Sequence, residues 1–371
     1  MFGIILITLC TLMHIYVFRC AASVPFVAKH IPLKILIGTG IFLWVLFIFG
    51  RLVGHNGKGV WAWLLELSGM NWMAILFLLF VFLLAADLVT LFGILFPRIV
   101  PLLRGWALLA GIVLSGIAFY QGLRPPIIQK YETVLPGLPD NMDGTVIVGL
   151  SDIHLGSLLG KRWLKDRIDQ IEEQQPDLVV LLGDTFEGHG KIEDELIETF
   201  KQLSAPLGVF AVSGNHEFYG KVGMRLFDNA SFKLLQNRWE EVKPGLIIAG
   251  VDDLTITRRN SHGFDPVQQA LKDRPPGATI LLSHTPWDTI KAAKGGVGLM
   301  LCGHTHGGQI WPFGYLVRCF YPLLEGRYIV KGMTVIVSRG AGTWGPRMRL
   351  WRPGEILHIT LHAQQRPKDG I

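Results

Sequence analysis

Beyond residue 144, seven side chains could hold metal ions: Asp152, His154, Asp184, Asn215, His284, His304 and His306. They are oxygen and imidazole donors with no thiolate, a mix that suits Mn, Fe or Zn rather than a structural cysteine site. Seven ligands are too many for one ion with an open position. They suffice for two ions sharing a bridging carboxylate. Such a pair, ~3.5–4 Å apart, can clamp a phosphoryl group, generate hydroxide and stabilise a leaving oxygen. In Asp152-x-His154 and His304-x-His306 the two side chains are expected to leave an extended strand end on the same side, because the side-chain period is two. Glycines at 183, 214, 303, 307 and 308 permit tight turns and close backbone approach beside them. A lone histidine is usually only hydrogen-bonded, and His14, His189 and His358 stand in no such context. Five motifs together are hard to obtain by chance.

These motifs need strands to present them. After Gly144, short apolar runs occur at 145–150, 178–182, 209–212, 246–249, 279–282, 299–301, 334–337 and 356–361. Between them lie helix candidates at 161–175, 192–203 and 266–272. Strands alternating with helices imply an α/β domain with one or two largely buried sheets. Five strand ends deliver the Asp, Asn and His residues, and ligands gather outside the carboxyl ends of strands in such sheets.

Residues 1–123 read differently. Four apolar runs, at 2–18, 33–50, 72–96 and 106–122, approach the ~20 residues that a membrane-crossing helix needs. Trp61, Trp63, Trp72, Trp106 and Tyr120 lie near their ends, as interfacial anchors would. The first run lacks the basic start of a cleaved signal and is expected to remain as a helix. The expected organisation is a membrane domain at 1–123, a Pro-rich linker at 124–143 and an α/β domain at 144–371. Asp87 is the one deeply placed charge. With no charged partner in the other runs, it is expected to make a bundle hydrogen bond or to lie near enough the surface to be hydrated.

The 371 residues carry a net charge of +6, half of them are hydrophobic, and the mean hydropathy is +0.38. Residues 1–120 hold seven basic and two acidic residues, so +5 of the +6 belongs to the apolar part. The α/β part is nearly neutral, which removes the case for a nucleic-acid partner. The four cysteines, Cys10, Cys20, Cys302 and Cys319, are too few and scattered for a disulfide scaffold. Across the loops, basic residues divide five against four, a slight lean towards an extracytoplasmic C-terminal domain.

The series Asp152-x-His154, Gly183-Asp184, Gly214-Asn215-His216-Glu217, His284 and Gly303-His304-x-His306 resembles the calcineurin-like metallophosphoesterase family over about residues 145–361. The tail, with Ser338-Arg339-Gly340-Ala341-Gly342-Thr343-Trp344 and Pro353-Gly354-Glu355-Ile356, is similar to the branch containing YkuE- and YaeI-like phosphodiesterases and membrane-anchored vertebrate proteins. The resemblance implies a four-layer α/β/β/α sandwich with two divalent metals, Mn, Fe or Zn. It implies that Asp152, His154, Asp184 and His306 hold the first ion. Asp184 would bridge to a second ion held by Asn215, His284 and His304. His216 would contact the phosphate and act as general acid, and a metal-bridging hydroxide would be the nucleophile. Arg339 and Arg347 are candidate phosphate contacts, and Trp344, where the branch has a small residue, would reshape the rim. The function expected is hydrolysis of a phosphodiester, phosphomonoester or pyrophosphate, lipid- or envelope-linked, at the cell membrane. The alternative is a non-catalytic membrane sensor or scaffold holding a phospholigand at the metal site.

Overall fold

The computed structural model describes residues 2–54, 57, 59–187, 194–219, 232–260 and 263–364. Contacts divide the chain into two compact units, 1–124 with 345–351, and 125–344 with 352–371.

The first unit is helical. Its elements are α1 (Phe2–Ala22), the short α2 (Pro25–His30), α3 (Leu33–Phe49, extended by a π turn at Gly50–Gly54), α4 (Val60–Val89) and α5 (Val100–Leu123). Apart from α2, each is long and apolar enough to cross a membrane. Cys10, Val17, Phe47, Met70, Leu79, Leu83 and Ala107 form the buried seam between them. Gly50 and Gly69 let two helices come close, since a Cβ on Gly50 would lie 3.0 Å from the Gly69 Cα. The third span starts twelve residues before the expected Trp72, because the only charge in its first turns, Glu66, is buried within the bundle. It stops at Val89, where Phe92 and Gly93 take left-handed backbone angles.

Asp87 departs from expectation: it has a charged partner. Arg104 Nε and Nη2 donate to its two oxygens at 2.8 and 3.0 Å, and the Tyr16 hydroxyl donates at 2.6 Å. The apolar run marked at Trp106 excludes Arg104. The helix begins at Val100, so Arg104 lies in its second turn and reaches the carboxylate. The segment Gly345–Trp351 belongs with these helices: Arg347 N–H donates to Asn71 Oδ1, Arg349 N–H to the Ala118 carbonyl and Trp351 N–H to Gln121 Oε1.

The second unit contains two six-stranded mixed sheets. In the first, β1 (Ile127–Val134), β12 (Glu355–His362), β2 (Val146–Leu150), β3 (Leu178–Leu182), β4 (Val209–Val212) and β5 (Lys233–Leu234) lie in that order. The second runs β10 (Gly326–Val330), β11 (Met333–Val337), β9 (Leu299–Cys302), β8 (Ala278–Leu282), β7 (Leu246–Gly250) and β6 (Arg238–Lys243). The pairs β2–β3, β3–β4, β7–β8 and β8–β9 are parallel. Such strands are covered on both faces, which is why Leu178–Leu182 reads as an unbroken apolar run.

Side-chain alternation sorts the cores. Leu178, Val180 and Leu182 meet Ile280, Leu282, Leu299 and Leu301 between the sheets. Val179 and Leu181 face the other way, towards α6 (Lys161–Glu172) and α7 (Asp194–Phe200). On α6, Leu164, Ile168 and Ile171 recur at i, i+4 and i+7 and are buried. Leu281, Met300 and Cys302 pack outward with Val267, Ala270 and Ala292, from α9 (Pro266–Ala270) and α10 (Thr289–Lys294); Leu254 of α8 (Leu254–Asn260) joins them. A final helix, α11 (Phe313–Phe320), follows β9. The fold is thus a four-layer α/β/β/α sandwich preceded by four long apolar helices.

Two differences from expectation bear on the edges. The stretch 124–143 carries β1, which pairs in parallel with β12 and is half-exposed. β5, β6 and β10 also go beyond the expected strands; β6 and β10 are half-exposed, so they lack the apolar run that marks a buried strand. Of the helix expected at 192–203, residues 194–200 are helical, while Ile192 and Glu193 lie outside the described residues, as do Lys58 and His189.

Candidate metal centre

The site gathers at the carboxyl ends of β2, β3, β4, β8 and β9. Asp152 and His154 follow β2, Asp184 follows β3, Asn215 and His216 follow β4, His284 follows β8, and His304 and His306 follow β9. Main-chain bonds register the loops: Asp152 N–H donates to the Gly183 carbonyl at 3.0 Å and His154 N–H to the Asp184 carbonyl at 2.9 Å.

The expected reason for the Asp-x-His spacing is corrected here. Asp152 and His154 do not leave an extended strand; both have left-handed backbones, with φ of 51° and 52°. Asp184, His304 and His306 share the feature, at 49°, 72° and 51°. Non-glycine residues rarely adopt this region, and clusters of them mark sites where the surroundings dictate side-chain direction. The chain turns at each of these strand ends, which redirects the side chain. Gly183, at φ 86°, makes room: a Cβ there would lie 2.7 Å from both Gly214 N and His284 Nδ1.

Six of the seven expected ligands are brought together: Asp152, His154, Asp184, His284, His304 and His306. His154 Nε2 lies 3.1 Å from His306 Nε2, and His306 Nε2 lies 3.3 Å from Asp152 Oδ1. His284 Nε2 lies 3.2 Å from both Asp184 Oδ2 and His304 Nδ1. Asp184 also stands 3.8 Å from His154 Nε2, so its carboxylate touches both halves. Among the described residues, Asp152, His154 and His306 form one group able to hold an ion, and Asp184, His284 and His304 form another. A third, overlapping group contains His154, Asp184 and His216.

The donor set fits divalent cations. Paired imidazole nitrogens face each other and a carboxylate at hydrogen-bond range, an arrangement suited to lone pairs sharing a cation. Asn215 Oδ1 is buried with no hydrogen-bond partner among the described residues, while its amide nitrogen donates to the Tyr219 hydroxyl at 2.9 Å. A buried acceptor left in that state is costly unless something electropositive meets it.

Outer contacts fix which atom each candidate ligand offers. His154 Nδ1 donates to Glu187 Oε2 at 2.7 Å, and His284 Nδ1 donates to the Leu182 carbonyl at 2.8 Å, leaving Nε2 of each to face the site. His304 uses the reverse: its Nε2 meets the Tyr321 hydroxyl at 2.8 Å and Nδ1 faces His284. His216 Nδ1 donates to the Glu187 carbonyl at 3.1 Å, and its main-chain N–H donates to Asp184 Oδ1 at 2.8 Å. The buried Glu217 carboxylate accepts from the N–H groups of Asp184, Phe186 and Gly214 at 3.0, 3.1 and 2.7 Å.

Charge is balanced locally. Burial alone would push the Asp184 carboxyl up, but His284, His216 and His154 hold it well below the usual range. Asp152 is likewise buried yet lowered, by His306 and His284. Burial opposes the charged form of His154, but Glu187 and Asp184 outweigh it and lift the group to about 9. Glu217, buried and facing Asp184, is pushed up to about 7.

Of the remaining sequence candidates, Arg339 and Trp344 belong to the second unit and Arg347 to the first. Arg339 is held by Glu355, whose Oε2 accepts from Nε at 2.8 Å and from Nη2, with Glu325 4.0 Å away. Arg347 falls in the helical unit. Trp344 is at the site: its ring lies edge-on to His216 at 6.5 Å, and its backbone exchanges two hydrogen bonds with Gln309. Sequence reasoning missed Glu187 and Tyr321 and gave Glu217 no role. Glu217 sits within the recognisable Gly214–Glu217 motif, whereas nothing in the spacing of Glu187 or Tyr321 distinguishes them from surface residues.

Comparison with known proteins follows the same residues. The family model for calcineurin-like phosphoesterase matches residues 145–308. An uncharacterized metallophosphoesterase of Aquifex aeolicus (strain VF5) is 35% identical over 246 residues, covering 64% of this chain and 92% of that protein. The uncharacterized metallophosphoesterase YkuE of Bacillus subtilis (strain 168) is 31% identical over 276 residues, 70% of this chain and 94% of the relative. A Bos taurus transmembrane protein with metallophosphoesterase domain is 30% identical over 275 residues, which are 69% of this chain and 62% of that one.

Proposed function

This chain belongs to the calcineurin-like phosphoesterase family, and from that premise we propose that it hydrolyses a membrane-linked phosphate ester at a dinuclear metal centre. The observation that carries the reading is the convergence of Asp152, His154, Asp184, His216, His284, His304 and His306 from five strand ends.

Asp152, His154, Asp184 and His306 would hold one ion, and Asp184, Asn215, His284 and His304 the other. When bound, such ions supply Lewis-acid charge to the phosphoryl oxygens and lower the pKa of water. The chain's own groups do the rest. Asp184 spans the two halves, with His216 N–H on one oxygen and His284 on the other. Glu187 orients two histidines at once, accepting from His154 through its carboxylate and from His216 through its carbonyl. With Nδ1 so engaged, His216 keeps Nε2 for delivering a proton to the leaving oxygen. Trp344 and Tyr219 stand beside that ring and narrow the approach to it.

A lipid- or envelope-linked substrate is favoured by the four long apolar helices on the same chain. The loop-charge balance favours an extracytoplasmic phosphoesterase unit, which a reporter fused to the C-terminus tests. Catalysis is tested with full chain purified in detergent and supplied with Mn²⁺. It should hydrolyse bis-p-nitrophenyl phosphate or p-nitrophenyl phosphate, and Asp184→Ala and His304→Ala should each abolish turnover. Wild-type rates in both variants would overturn the assignment. Metal uptake without turnover on any ester would favour a non-catalytic phospholigand sensor.

A further inference from the structure

α11 is amphipathic in reverse. Phe313, Leu316 and Phe320 recur at i, i+3 and i+7 and therefore share one helix face. They are 37%, 54% and 67% exposed, and the adjoining Tyr315 is 67% exposed. On α6 the i, i+4, i+7 spacing buries Leu164, Ile168 and Ile171 almost completely. A single exposed leucine is ordinary. Four large apolar side chains together on two turns of helix mark an interaction surface.

This helix is fastened to the metal centre at both ends. Gly308, two residues after His306, approaches Gly314 so closely that a Cβ on Gly308 would overlap the Gly314 Cα. Just past the other end, the Tyr321 hydroxyl meets His304 Nε2 at 2.8 Å. Whatever covers the apolar face therefore sits beside the site.

We infer that α11 is a bilayer-docking element. Phe313, Leu316 and Phe320 enter the edge of the hydrocarbon, while Trp311 and Tyr315, apolar rings with polar tips, sit at headgroup depth. Charge complementarity selects a lipid surface: the helix carries exposed Arg318 and no acidic residue, as suits anionic headgroups. The same chain carries four helices of membrane length. Docking rests on this membrane association and is independent of the hydrolytic reading.

Full chain in nanodiscs of phosphatidylcholine and phosphatidylglycerol (three to one) provides the test. Cys319 is the exposed cysteine, and Cys10, Cys20 and Cys302 are buried, so a Cys319→Ser background accepts a single spin label. Labels at Leu316→Cys and, as an aqueous control, at Asp166→Cys on α6 are compared by power saturation. The Leu316 label is expected to be several-fold more accessible to oxygen than to a nickel chelate, with the opposite ratio at Asp166. Equal nickel access at both positions overturns docking. Dipolar broadening at 316 that vanishes on dilution with unlabelled chain overturns it too, by showing a second copy on the face. A Phe313→Ser, Leu316→Ser, Phe320→Ser variant should keep soluble-ester turnover within twofold and lose at least fivefold on an ester embedded in the same bilayer. Unchanged turnover of both esters counts against docking. Failure of the unmodified chain on every ester sinks the hydrolytic reading alone, since the spin labels still decide docking.

Discussion

Glu217→Gln is the most informative single substitution at the centre. The carboxylate is fully buried, and its three accepted bonds tie the loop carrying Asp184 to the loop carrying Asn215 and His216. Oε2 takes Asp184 N–H and Gly214 N–H, while Oε1 takes Phe186 N–H. A glutamine keeps one acceptor oxygen. With that oxygen in the Oε2 position, two bonds survive and the amide group opposes Phe186 N–H. The lost charge-assisted bond is worth ~1.5–3 kcal/mol, and the stranded N–H adds ~1–3 kcal/mol. Against this, burial and Asp184 push the Glu217 carboxyl up to about 7, so a neutral amide escapes part of the cost of burying charge. The two effects oppose each other in overall stability, which makes stability the wrong readout. Metal affinity is the right one, because groups behind metal ligands are typically worth ~10–100-fold there. The assay is metal content by mass spectrometry of the full chain after equilibration in graded Mn²⁺ buffers, with ester turnover at each concentration. Affinity should fall at least tenfold, with turnover partly rescued by excess metal. Wild-type affinity and turnover across the series would refute the bracing role.

Tyr321→Phe removes a single hydrogen bond from His304, worth ~1 kcal/mol, so metal affinity should fall about fivefold on the same buffers; no change would deny Tyr321 an orienting role. In the helical unit, Arg104→Gln strands the buried Asp87 carboxylate and should cost ~3–5 kcal/mol, read as a lowered unfolding midpoint in detergent. Adding Asp87→Asn to Arg104→Gln should recover much of that loss, and a double variant no more stable than the single would show that the ion pair is not what matters.

The candidate ligands were legible because their chemistry is rare. Seven Asp, Asn and His residues, each following an apolar strand, have few explanations, and the strands themselves are buried on both faces and so read as continuous apolar runs. Backbone direction was not legible. Nothing in Asp152-Ile153-His154 announces two left-handed residues, because their angles are imposed by neighbouring loops rather than by local preference. Glu187 and Tyr321 escaped for a related reason: each acts through space on a histidine far away or out of register in the chain. The edge strands β1, β6 and β10 face solvent and carry mixed polarity, so they resemble loops. Arg104 was hidden by a boundary, since hydropathy drew the fourth span from Trp106 and the helix starts six residues earlier.

A metal count on the full chain addresses the dinuclear centre most directly. Two ions per chain are expected in the unmodified protein, falling to one or none in Asp184→Ala, because that carboxylate faces both groups of candidate ligands. A single ion in the unmodified protein, or two ions retained in Asp184→Ala, would contradict the shared bridge on which the proposed hydrolysis depends.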